Sequence, residues 1–530
     1  MEKLLLLGDE AIAQAALDAG LSGVYAYPGT PSTEITEYIQ ADPKTSRDSI
    51  HCKWSANEKT AMEAALGMSF AGKRALVCMK HVGVNVAADA FMNAAVTGVV
   101  GGLVFVAADD PSMHSSQNEQ DSRFYGQFAL IPILEPSNQQ EAYDMTYAGF
   151  ELSERFGVPV MLRITTRLAH SRSGVQRRAE QPQNELHFSD NPRQFVLLPA
   201  NARVQYQKLL DAQDSFQKDS QDSVFNQYID GSDKSRGIIA SGIAFNYLME
   251  NFPQGCPHPV YKIGQYPLAE AVLAQMAGAC KELVVIEEGY PLIEDSLRGL
   301  AGFGLTIRGR KDGFLPRTGE FNPDILARAF GFLTEEAMPV PEVVKNRPPS
   351  LCVGCGHRDL YDALNEAVAT KGDDCKVFSD IGCYTLGYLP PFKAIHTCVD
   401  MGASITMAKG AADAGLVYPV AVIGDSTFTH SGMTSLLDAV NENSPITVII
   451  SDNETTGMTG GQDSSGTGKI EAICLALGVE PDHLHVLVPL KKNHNQMVEV
   501  IRREMEFRGT SVIIPRRECI QTLSRKKKKA

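Results

Sequence analysis

The sequence predicts an α/β protein built from doubly wound parallel sheets. The first observation is an apolar run at 420–423, followed by apolar residues at helical spacing over 433–440 and a second, β-rich run at 446–450. A strand, a helix and a strand in that order form a crossover unit, whose two strands are parallel. The second observation is that the same alternation recurs near the start of the chain. Repeated alternation of this kind predicts parallel sheets covered by helices.

The first 180 residues carry that second observation. We expect strands over Leu4–Leu7, Val24–Tyr27, Arg74–Met79 and Leu103–Ala107. We expect helices over Glu10–Ala19 and from a cap at Ser32 to Ile39. Later strands are expected at 237–242 and 284–286. The polar stretch 175–235 is typical of a linker with an exposed helix, and 310–350 of a second connector.

Length and composition bound the classes of protein. At 530 residues the chain is too long for one core, so three domains are expected, over 1–180, 235–320 and 350–520, with a basic tail at 521–530 that we expect to be disordered. A net charge of −14 argues against general nucleic-acid binding. No apolar run approaches the ~20 residues of a membrane span, and the four-Leu start is too short for a signal peptide. We therefore expect a cytoplasmic protein.

Polar residues follow both strands of the crossover unit. Asp425 and Asn453 lie just beyond the predicted carboxyl ends, where open α/β sheets bind ligands. A carboxylate and an amide oxygen suit Mg²⁺, which usually keeps phosphate oxygens among its ligands. Gly424 lets the backbone approach a diphosphate closely. The plainer interpretation is an ordinary crossover unit with a polar loop.

These residues also carry a resemblance. Gly424-Asp425-Ser426, with Asn453 one βα unit later, resembles the metal–diphosphate motif of thiamine diphosphate enzymes. The run DNETTGMTGGQ resembles the 2-oxoacid:ferredoxin oxidoreductases, and YPGTPSTEI resembles the start of their pyrimidine-binding domain. The likeness is to the indolepyruvate-type alpha subunits, and it is strongest at 24–40, 54–90, 351–390 and 400–465.

The resemblance implies a role for each domain and for several residues. The three domains would be pyrimidine-binding, transketolase C-terminal-like and diphosphate-binding. Thr30 would lie near the substrate and the cofactor ring. Glu58 would lie against N1′ of the aminopyrimidine and stabilise its imino tautomer, whereas the structural alternative is a glutamate that complements a helix dipole after the cap Asn57. His81 is a candidate contact or a loop histidine.

The polar loop after the strand at Leu103 contains Arg123. Its guanidinium could bind the carboxylate of a 2-oxoacid through two parallel hydrogen bonds. A surface salt bridge with Asp121 or Glu119 is the alternative.

The same resemblance implies the cofactor ligands. Asp425, Asn453 and the Thr455 carbonyl would bind Mg²⁺. The remaining cofactor-binding residues would be Gly29, Gly424, Ser426 and Gly457.

Eleven cysteines in a long chain favour free thiols or metal ligands over disulfides. Cys352 and Cys355 form a C-x₂-C step, Cys383 follows a predicted strand, and Cys519 follows another. In their order they resemble the ligands of a single 4Fe–4S cluster, with zinc or free thiols as alternatives. The other seven, such as Cys78 and Cys474, are expected in packing.

The implied activity is oxidative decarboxylation of an aryl-2-oxoacid with coenzyme A, with electrons passing through the cluster to ferredoxin. A smaller beta subunit is the implied partner. Longer relatives carry a C-terminal ferredoxin-like segment with two C-x₂-C-x₂-C-x₃-C-P runs, and this sequence has neither, so we interpret it as a short form with an uncertain acceptor. The rivals are a non-oxidative decarboxylase or carboligase, and a non-catalytic subunit that keeps the fold.

Overall fold

The structure is a computed structural model that describes residues 3–189, 191–300, 305–332, 341–345 and 347–529. The chain divides into two compact units, 1–337 and 338–530. Each unit is described by itself below.

Twenty-two strands are present among the described residues. In chain order they are β1 (Lys3–Leu7), β2 (Gly23–Ala26), β3 (His51–Trp54), β4 (Ala75–Lys80), β5 (Leu103–Asp109), β6 (Ile133–Leu134), β7 (Val160–Thr165), β8 (Arg172–Gln176), β9 (Gln227–Ile229), β10 (Arg236–Ser241), β11 (Val260–Ile263), β12 (Gln265–Tyr266), β13 (Glu282–Ile286), β14 (Thr306–Arg308), β15 (Cys375–Ser379), β16 (Thr397–Cys398), β17 (Tyr418–Gly424), β18 (Thr447–Ser451), β19 (Thr455–Thr456), β20 (Gln462–Asp463), β21 (Leu484–Leu487) and β22 (Ser511–Pro515).

The α-helices alternate with these strands. In chain order they are α1 (Gly8–Asp18), α2 (Thr33–Ala41), α3 (Pro43–Arg47), α4 (Glu58–Phe70), α5 (His81–Thr97), α6 (Arg123–Phe128), α7 (Gln139–Phe156), α8 (Thr166–His170), α9 (Pro192–Phe195), α10 (Pro199–Asp211), α11 (Gln213–Gln221), α12 (Ala244–Glu250), α13 (Glu270–Ala279), α14 (Leu292–Leu300), α15 (Pro323–Phe330), α16 (Gly356–Val368), α17 (Ala403–Asp413), α18 (Asp425–Thr427), α19 (Met433–Asn441), α20 (Ile470–Ala476), α21 (His494–Glu506) and α22 (Ile520–Lys529).

The first unit contains two large sheets. One has the order β12-β6-β7-β5-β4-β2-β3 and is parallel except where β12 pairs with β6. The other has the order β14-β13-β10-β11-β9 and is parallel except at β9. Both belong to one compact unit, and the three predicted domain boundaries stay a prediction.

The second unit contains one six-stranded sheet of order β16-β15-β17-β18-β22-β21, in which every pairing is parallel. Along β17, Val420 and Val422 pack into the core on one face, and Ala421 and Ile423 pack into the core on the other. A strand buried on both faces requires a continuous apolar run, which explains the run at 420–423. The predicted parallel crossover unit is therefore confirmed.

Two predicted segments differ from the structure. The strand at Leu4–Leu7 forms, but it pairs antiparallel with β8 in a separate two-stranded sheet. Leu5 is 67% exposed there, because such a ribbon buries little of its surface. The basic tail is helical as α22, where the prediction was disorder. Arg525 donates to the Gly460 carbonyl, and Lys526 pairs with Glu518 at 2.6 Å, so part of the charge is held against the unit.

Among the helices of the described residues, none is both long enough and apolar enough to cross a bilayer.

Candidate active site

Asp425 lies at the carboxyl end of β17, beside the parallel strand β18. Its side chain is 2% exposed, and Oδ2 receives no hydrogen bond from the described residues. Burial, with a smaller contribution from the nearby Asp452, raises the pKa of this carboxyl group to about 7. A buried carboxylate with an unpartnered oxygen is the arrangement that a bound cation would stabilise. The residues present therefore fit a divalent ion.

Asn453 lies at the end of β18, at the start of a small hairpin. Its Oδ1 accepts a hydrogen bond from the Thr455 N–H at 3.1 Å, the turn typical of Asn. Thr455 is buried, and its hydroxyl donates to the Gln462 carbonyl at 2.9 Å across the β19–β20 pair. The hairpin therefore fixes the loop that carries both candidate oxygen ligands.

Two neighbours tie Asp425 and its loop to the unit. Ser426 Oγ lies 2.6 Å from Thr456 Oγ1, which joins the two sides of the predicted motif. Asp452 is buried and pairs with Arg516 at 2.7 Å. Sequence reasoning missed Asp452, although it stands directly before Asn453 as a second carboxylate at the same strand end.

Gly424 has a packing role that the sequence did not reveal. A Cβ atom there would lie 2.6 Å from Cε1 of Tyr384, so the glycine makes room for that ring. The Tyr384 hydroxyl donates to Asp380, whose other oxygen accepts from Ser404 Oγ at 2.6 Å. The glycine is thus required by packing, and the expected approach of backbone to a diphosphate stays a prediction.

Four cysteines line one cavity of the second unit. Cys352, Cys355, Cys383 and Cys519 share a cavity of about 80 Å³ with Asn453 and other residues. That volume is several times the space that one water needs. The other cysteines of the chain lie elsewhere, and most of them are buried as expected. Cys398 is exposed, because β16 is the edge strand of its sheet, so its prediction as packing is wrong.

The cysteine cavity adjoins the loop of Asn453. The Cys519 N–H donates to the Asn453 carbonyl at 3.1 Å. A Cβ atom at Gly457 would lie 3.1 Å from Cys383 Sγ and 4.0 Å from Asn453 Nδ2. The absence of a side chain at Gly457 therefore leaves room for the Cys383 thiol beside the loop of Asn453. The candidate diphosphate loop and the cysteines form one continuous site.

The thiols influence one another. Burial, together with smaller contributions from the other three cysteines, raises the pKa of Cys383 to about 12. A single tetrahedral zinc would hold its four sulfurs about 3.8 Å apart, given Zn–S bonds near 2.3 Å. Within the described part of the chain, no three of these four sulfurs lie within 4.8 Å of one another. The spacing is wider than one zinc ion requires.

His357 is a residue of this cavity that sequence reasoning missed. Its Nδ1 lies 3.0 Å from Cys355 Sγ, and its ring is buried beside Tyr384. Burial lowers the pKa of His357 to about 4, so the ring is neutral near pH 7. The position two residues after the second cysteine of C-x₂-C was the available signal.

Glu58 begins α4 in the first unit, as predicted. The Asn57 side chain caps the helix by accepting from the Thr60 N–H at 2.8 Å. Glu58 is 7% exposed, and a Cβ atom at Gly83 would lie 2.7 Å from its Cγ and Oε1. The carboxyl group thus lies against the first turn of α5, in a space kept open by a glycine. A glutamate that served only a helix dipole would need no such burial.

His81 and Thr30 lie near the same strand ends. His81 is fully buried, its Nε2 lies 3.2 Å from Asn118 Oδ1, and no described residue partners its Nδ1. Thr30 is half-buried, and its carbonyl accepts from Ser115 Oγ at 3.4 Å. Ser32 does not cap α2 with its side chain, because its hydroxyl donates back to the Gly29 carbonyl at 2.9 Å.

Comparison with known proteins bears on these sites. The family model described as pyruvate flavodoxin/ferredoxin oxidoreductase, thiamine diphosphate-binding, matches residues 14–220. The model for the thiamine pyrophosphate enzyme C-terminal TPP-binding domain matches 380–514. Indolepyruvate oxidoreductase subunit IorA of Methanothermobacter thermautotrophicus is 39% identical over 98% of this chain and 87% of its own. The chain belongs to the IorA family.

Two further relatives of the same family match nearly the whole chain. IorA of Archaeoglobus fulgidus is 39% identical over 100% of this chain and 88% of its own. IorA of Pyrococcus abyssi is 38% identical over 98% and 86%. This IorA-family chain is therefore a thiamine diphosphate-dependent 2-oxoacid:ferredoxin oxidoreductase.

A solved structure shares the fold. The 2-oxoglutarate:ferredoxin oxidoreductase from Magnetococcus marinus aligns with a TM-score of 0.50 at 15% identity, over 62% of this chain and 65% of that one. This chain thus covers slightly less than two thirds of that structure, and the likeness concerns the fold alone.

Arg123 of this IorA-family chain requires a correction. Its side chain is fully buried, and all three guanidinium nitrogens already face protein acceptors. It pairs with Asp121 at 2.5 Å and Glu287 at 3.0 Å. A substrate carboxylate would have to displace these partners in the interior. The surface alternative named Asp121 correctly, but the pair is buried because the second sheet covers it.

Arg123 and Arg163 form ion pairs with a group of buried carboxylates. Arg163 pairs with Asp109 at 2.8 Å and Glu135 at 2.6 Å. Within the described residues, Glu288 forms no ion pair with an arginine. Its Oε1 accepts a hydrogen bond from the Phe321 N–H at 2.8 Å, and burial raises its pKa to about 7.

We predict that Glu288→Gln flattens the pH dependence of the first unit's stability. The folded pKa of about 7 lies above the ordinary value of 4.5 for a glutamate carboxyl group, so the folded state holds an extra proton between these two pH values. Stability of the parent should therefore fall as pH rises through that window, by about 3 kcal/mol at most. Denaturant unfolding between pH 4.5 and 8 measures this. The exposed Glu185→Gln is the control, and an unchanged slope in Glu288→Gln would contradict the assignment.

Proposed function

We propose that this chain catalyses the oxidative decarboxylation of aryl-2-oxoacids, of the indolepyruvate type, with coenzyme A. The products would be an aryl-acetyl-CoA and CO₂, with electrons passing through one 4Fe–4S cluster to ferredoxin. The observation that supports this best is the continuous site in which four cysteines adjoin the loop of Asn453, because it brings candidate cluster ligands next to a candidate cofactor loop. The relatives are named indolepyruvate oxidoreductase, and this name supports an aryl substrate.

Each unit would supply part of the machinery. Asp425, Asn453 and the Thr455 carbonyl would hold Mg²⁺, and the buried, unpartnered oxygen of Asp425 favours this. When bound, thiamine diphosphate supplies the carbon nucleophile and electron sink of the reaction. Glu58, kept in place by Asn57 and Gly83, would hold a proton against N1′ of the aminopyrimidine. Thr30 and His81 stay candidates for contacts near the ring.

The cysteines would hold the cluster. The wide spacing of their sulfurs favours a group larger than a single zinc ion. His357 would donate its Nδ1–H to Cys355 Sγ, since its low pKa keeps the ring neutral with one proton to place. A partner beta subunit is part of the proposal, as is CoA as the acyl acceptor.

The test of the whole proposal is an anaerobic assay of this chain with its partner subunit. Indolepyruvate, phenylpyruvate and pyruvate are compared, each with CoA and ferredoxin. Reduction of ferredoxin that requires CoA and favours the aryl substrates supports the proposal. CO₂ release without ferredoxin reduction would indicate the non-oxidative decarboxylase instead.

We predict that Asp425→Ala removes Mg²⁺-dependent binding of thiamine diphosphate while the fold survives. The loss should exceed the 10–100-fold typical of outer-shell partners of a metal, because a direct ligand is removed. Calorimetric titration with thiamine diphosphate and Mg²⁺ measures the affinity. Asp438→Ala, on the exposed face of α19, is the control. Equal affinity in Asp425→Ala and the parent would disprove the metal role.

We predict that Glu58→Gln keeps the cofactor and loses turnover by about 10²–10⁴-fold, because the amide cannot exchange a proton with the ring. Exchange of the thiazolium C2 proton, followed by NMR, isolates that step from substrate binding. Glu63→Gln, an exposed residue of the same helix, should leave exchange unchanged. If Glu58→Gln exchanges as fast as the parent, Glu58 only complements the helix dipole.

We predict about four irons and four sulfides per chain after anaerobic purification, with a reduced EPR signal. Cys519→Ala should lose the cluster, because it removes one of four ligands, whereas Cys398→Ala should keep it. Cys398 is a suitable control because it is exposed and lies outside the cavity. Zinc in place of iron, or no metal after reconstitution, would refute the cluster assignment.

A further inference from the structure

A second group of metal-ligating side chains lies in the first unit, apart from the residues discussed above. It consists of Asp9 of α1, Glu34 of α2 and His170 of α8, and we call it the three-helix cluster. One ligand atom from each lies within 4.8 Å of the other two. Three elements that are distant in sequence thus bring two carboxylates and an imidazole together, as a structural or catalytic metal site would.

Asp9 is the decisive member of the three-helix cluster. Its side chain is 0% exposed, and neither carboxylate oxygen has a hydrogen-bond partner among the described residues. The fold holds it there, because a Cβ atom at Gly8 would collide with the Leu168 carbonyl, so α1 and α8 approach closely at this point. A carboxylate buried in this way costs several kcal/mol unless a proton or a cation accompanies it.

The side chains around Asp9 add negative charge, and few positive charges lie close to it. Glu34 lies beside Asp9, and its Oε2 is buried and accepts no hydrogen bond within the described residues, although it faces His170 Nε2. His170 pairs with Glu34 at a long 3.6 Å. The nearby arginines serve other carboxylates: Arg172 pairs with Glu10, and Arg167 pairs with Glu320. Two facing carboxyl groups therefore share a space that a shared proton or a bound cation would stabilise.

We propose that Asp9, Glu34 and His170 bind a divalent first-row transition-metal ion. Two carboxylate oxygens and one imidazole nitrogen suit ions such as Zn²⁺ and Mn²⁺ better than Mg²⁺, which prefers oxygen alone. Glu34 and His170 are each about a third exposed, at 37% and 35%, so the ion has an entry path and water completes its coordination. A modest inward shift of the ligand atoms brings them to bonding distance.

The site would brace the loop that carries Thr30. Glu34 lies in the first turn of α2, four residues after Thr30, and His170 ends α8. The first residue of α8, Thr166, donates to Asp110 at 2.8 Å, and Asp110 in turn accepts from the Ser115 N–H at 2.8 Å. Ser115 also donates to the Thr30 carbonyl. A metal at the three-helix cluster therefore fixes both ends of α8 relative to that loop.

The test uses the full chain with Mn²⁺ as the probe, since soft thiolates bind Mn²⁺ poorly and the cysteine cavity does not compete. Asp425→Ala serves as the host, because it removes the other candidate divalent site. Binding is followed by the loss of the free Mn²⁺ EPR signal and by the thermal midpoint with and without the ion. In this host we compare Asp9→Asn and His170→Gln with His258→Gln, a histidine beside Asp233 that lies outside the cluster.

We expect the host and His258→Gln to bind one Mn²⁺ per chain and to gain thermal stability with it. Asp9→Asn and His170→Gln should lose both effects. His170 is partly exposed, so its variant tests the site even if Asp9→Asn fails to fold. The proposal is overturned if the host binds no Mn²⁺ or if both cluster variants still bind it. A third result would also overturn it: neither the host nor Asp9→Asn binds an ion, and Asp9→Asn is the more stable of the two. That result would mean that Asp9 and Glu34 share a proton in place of a metal ion.

Discussion

A carboxylate buried without its full set of hydrogen bonds is unfavourable, and the second unit holds Asp425 in that state. Much of the surrounding structure keeps it there. The parallel pairing of β17 and β18 places it beside the loop of Asn453, and the β19–β20 hairpin closes over that loop. Asp452, the neighbouring carboxylate, is neutralised by Arg516, whereas Asp425 is left without such a partner. The fold thus concentrates unmet negative charge at one point, where a cation would be bound most strongly.

The buried carboxylates of the first unit show the opposite arrangement. Asp109, Asp121 and Glu135 lie in the interior against Arg163 and Arg123, with short ion pairs that satisfy both partners. Arg123 also pairs with Glu287, which follows β13 of the second sheet, so the network links the two sheets and gives each of these carboxylates an arginine partner. Burial alone therefore does not distinguish a structural carboxylate from a functional one. The distinction lies in whether the protein supplies the counter-charge, and this criterion separates Arg123 from the candidate substrate-binding residues.

The local patterns were predictable from the sequence, and the distant partnerships were not. The run at 420–423 predicts a buried parallel strand because both of its faces must be apolar, and Asn57 predicts a helix start because its side chain accepts from Thr60. Arg123 was misjudged because Glu287, its partner, is 164 residues away and arrives with a different sheet. The tail was misjudged in part for the same reason, since the Gly460 carbonyl that accepts from Arg525 is 65 residues away.

The three-helix cluster follows from the same criterion of unmet charge. Asp9 resembles Asp425 in being buried with a carboxylate oxygen that accepts no hydrogen bond from the described residues, and it differs from Asp121, which pairs with Arg123. Residues 9, 34 and 170 are too far apart in sequence for any spacing motif, so only the packing of α1, α2 and α8 brings them together. The three-helix cluster is also connected to the loop that carries Thr30. Since α8 contacts that loop through Asp110 and Ser115, a metal bound at the cluster would brace the helix that these hydrogen bonds join to the loop.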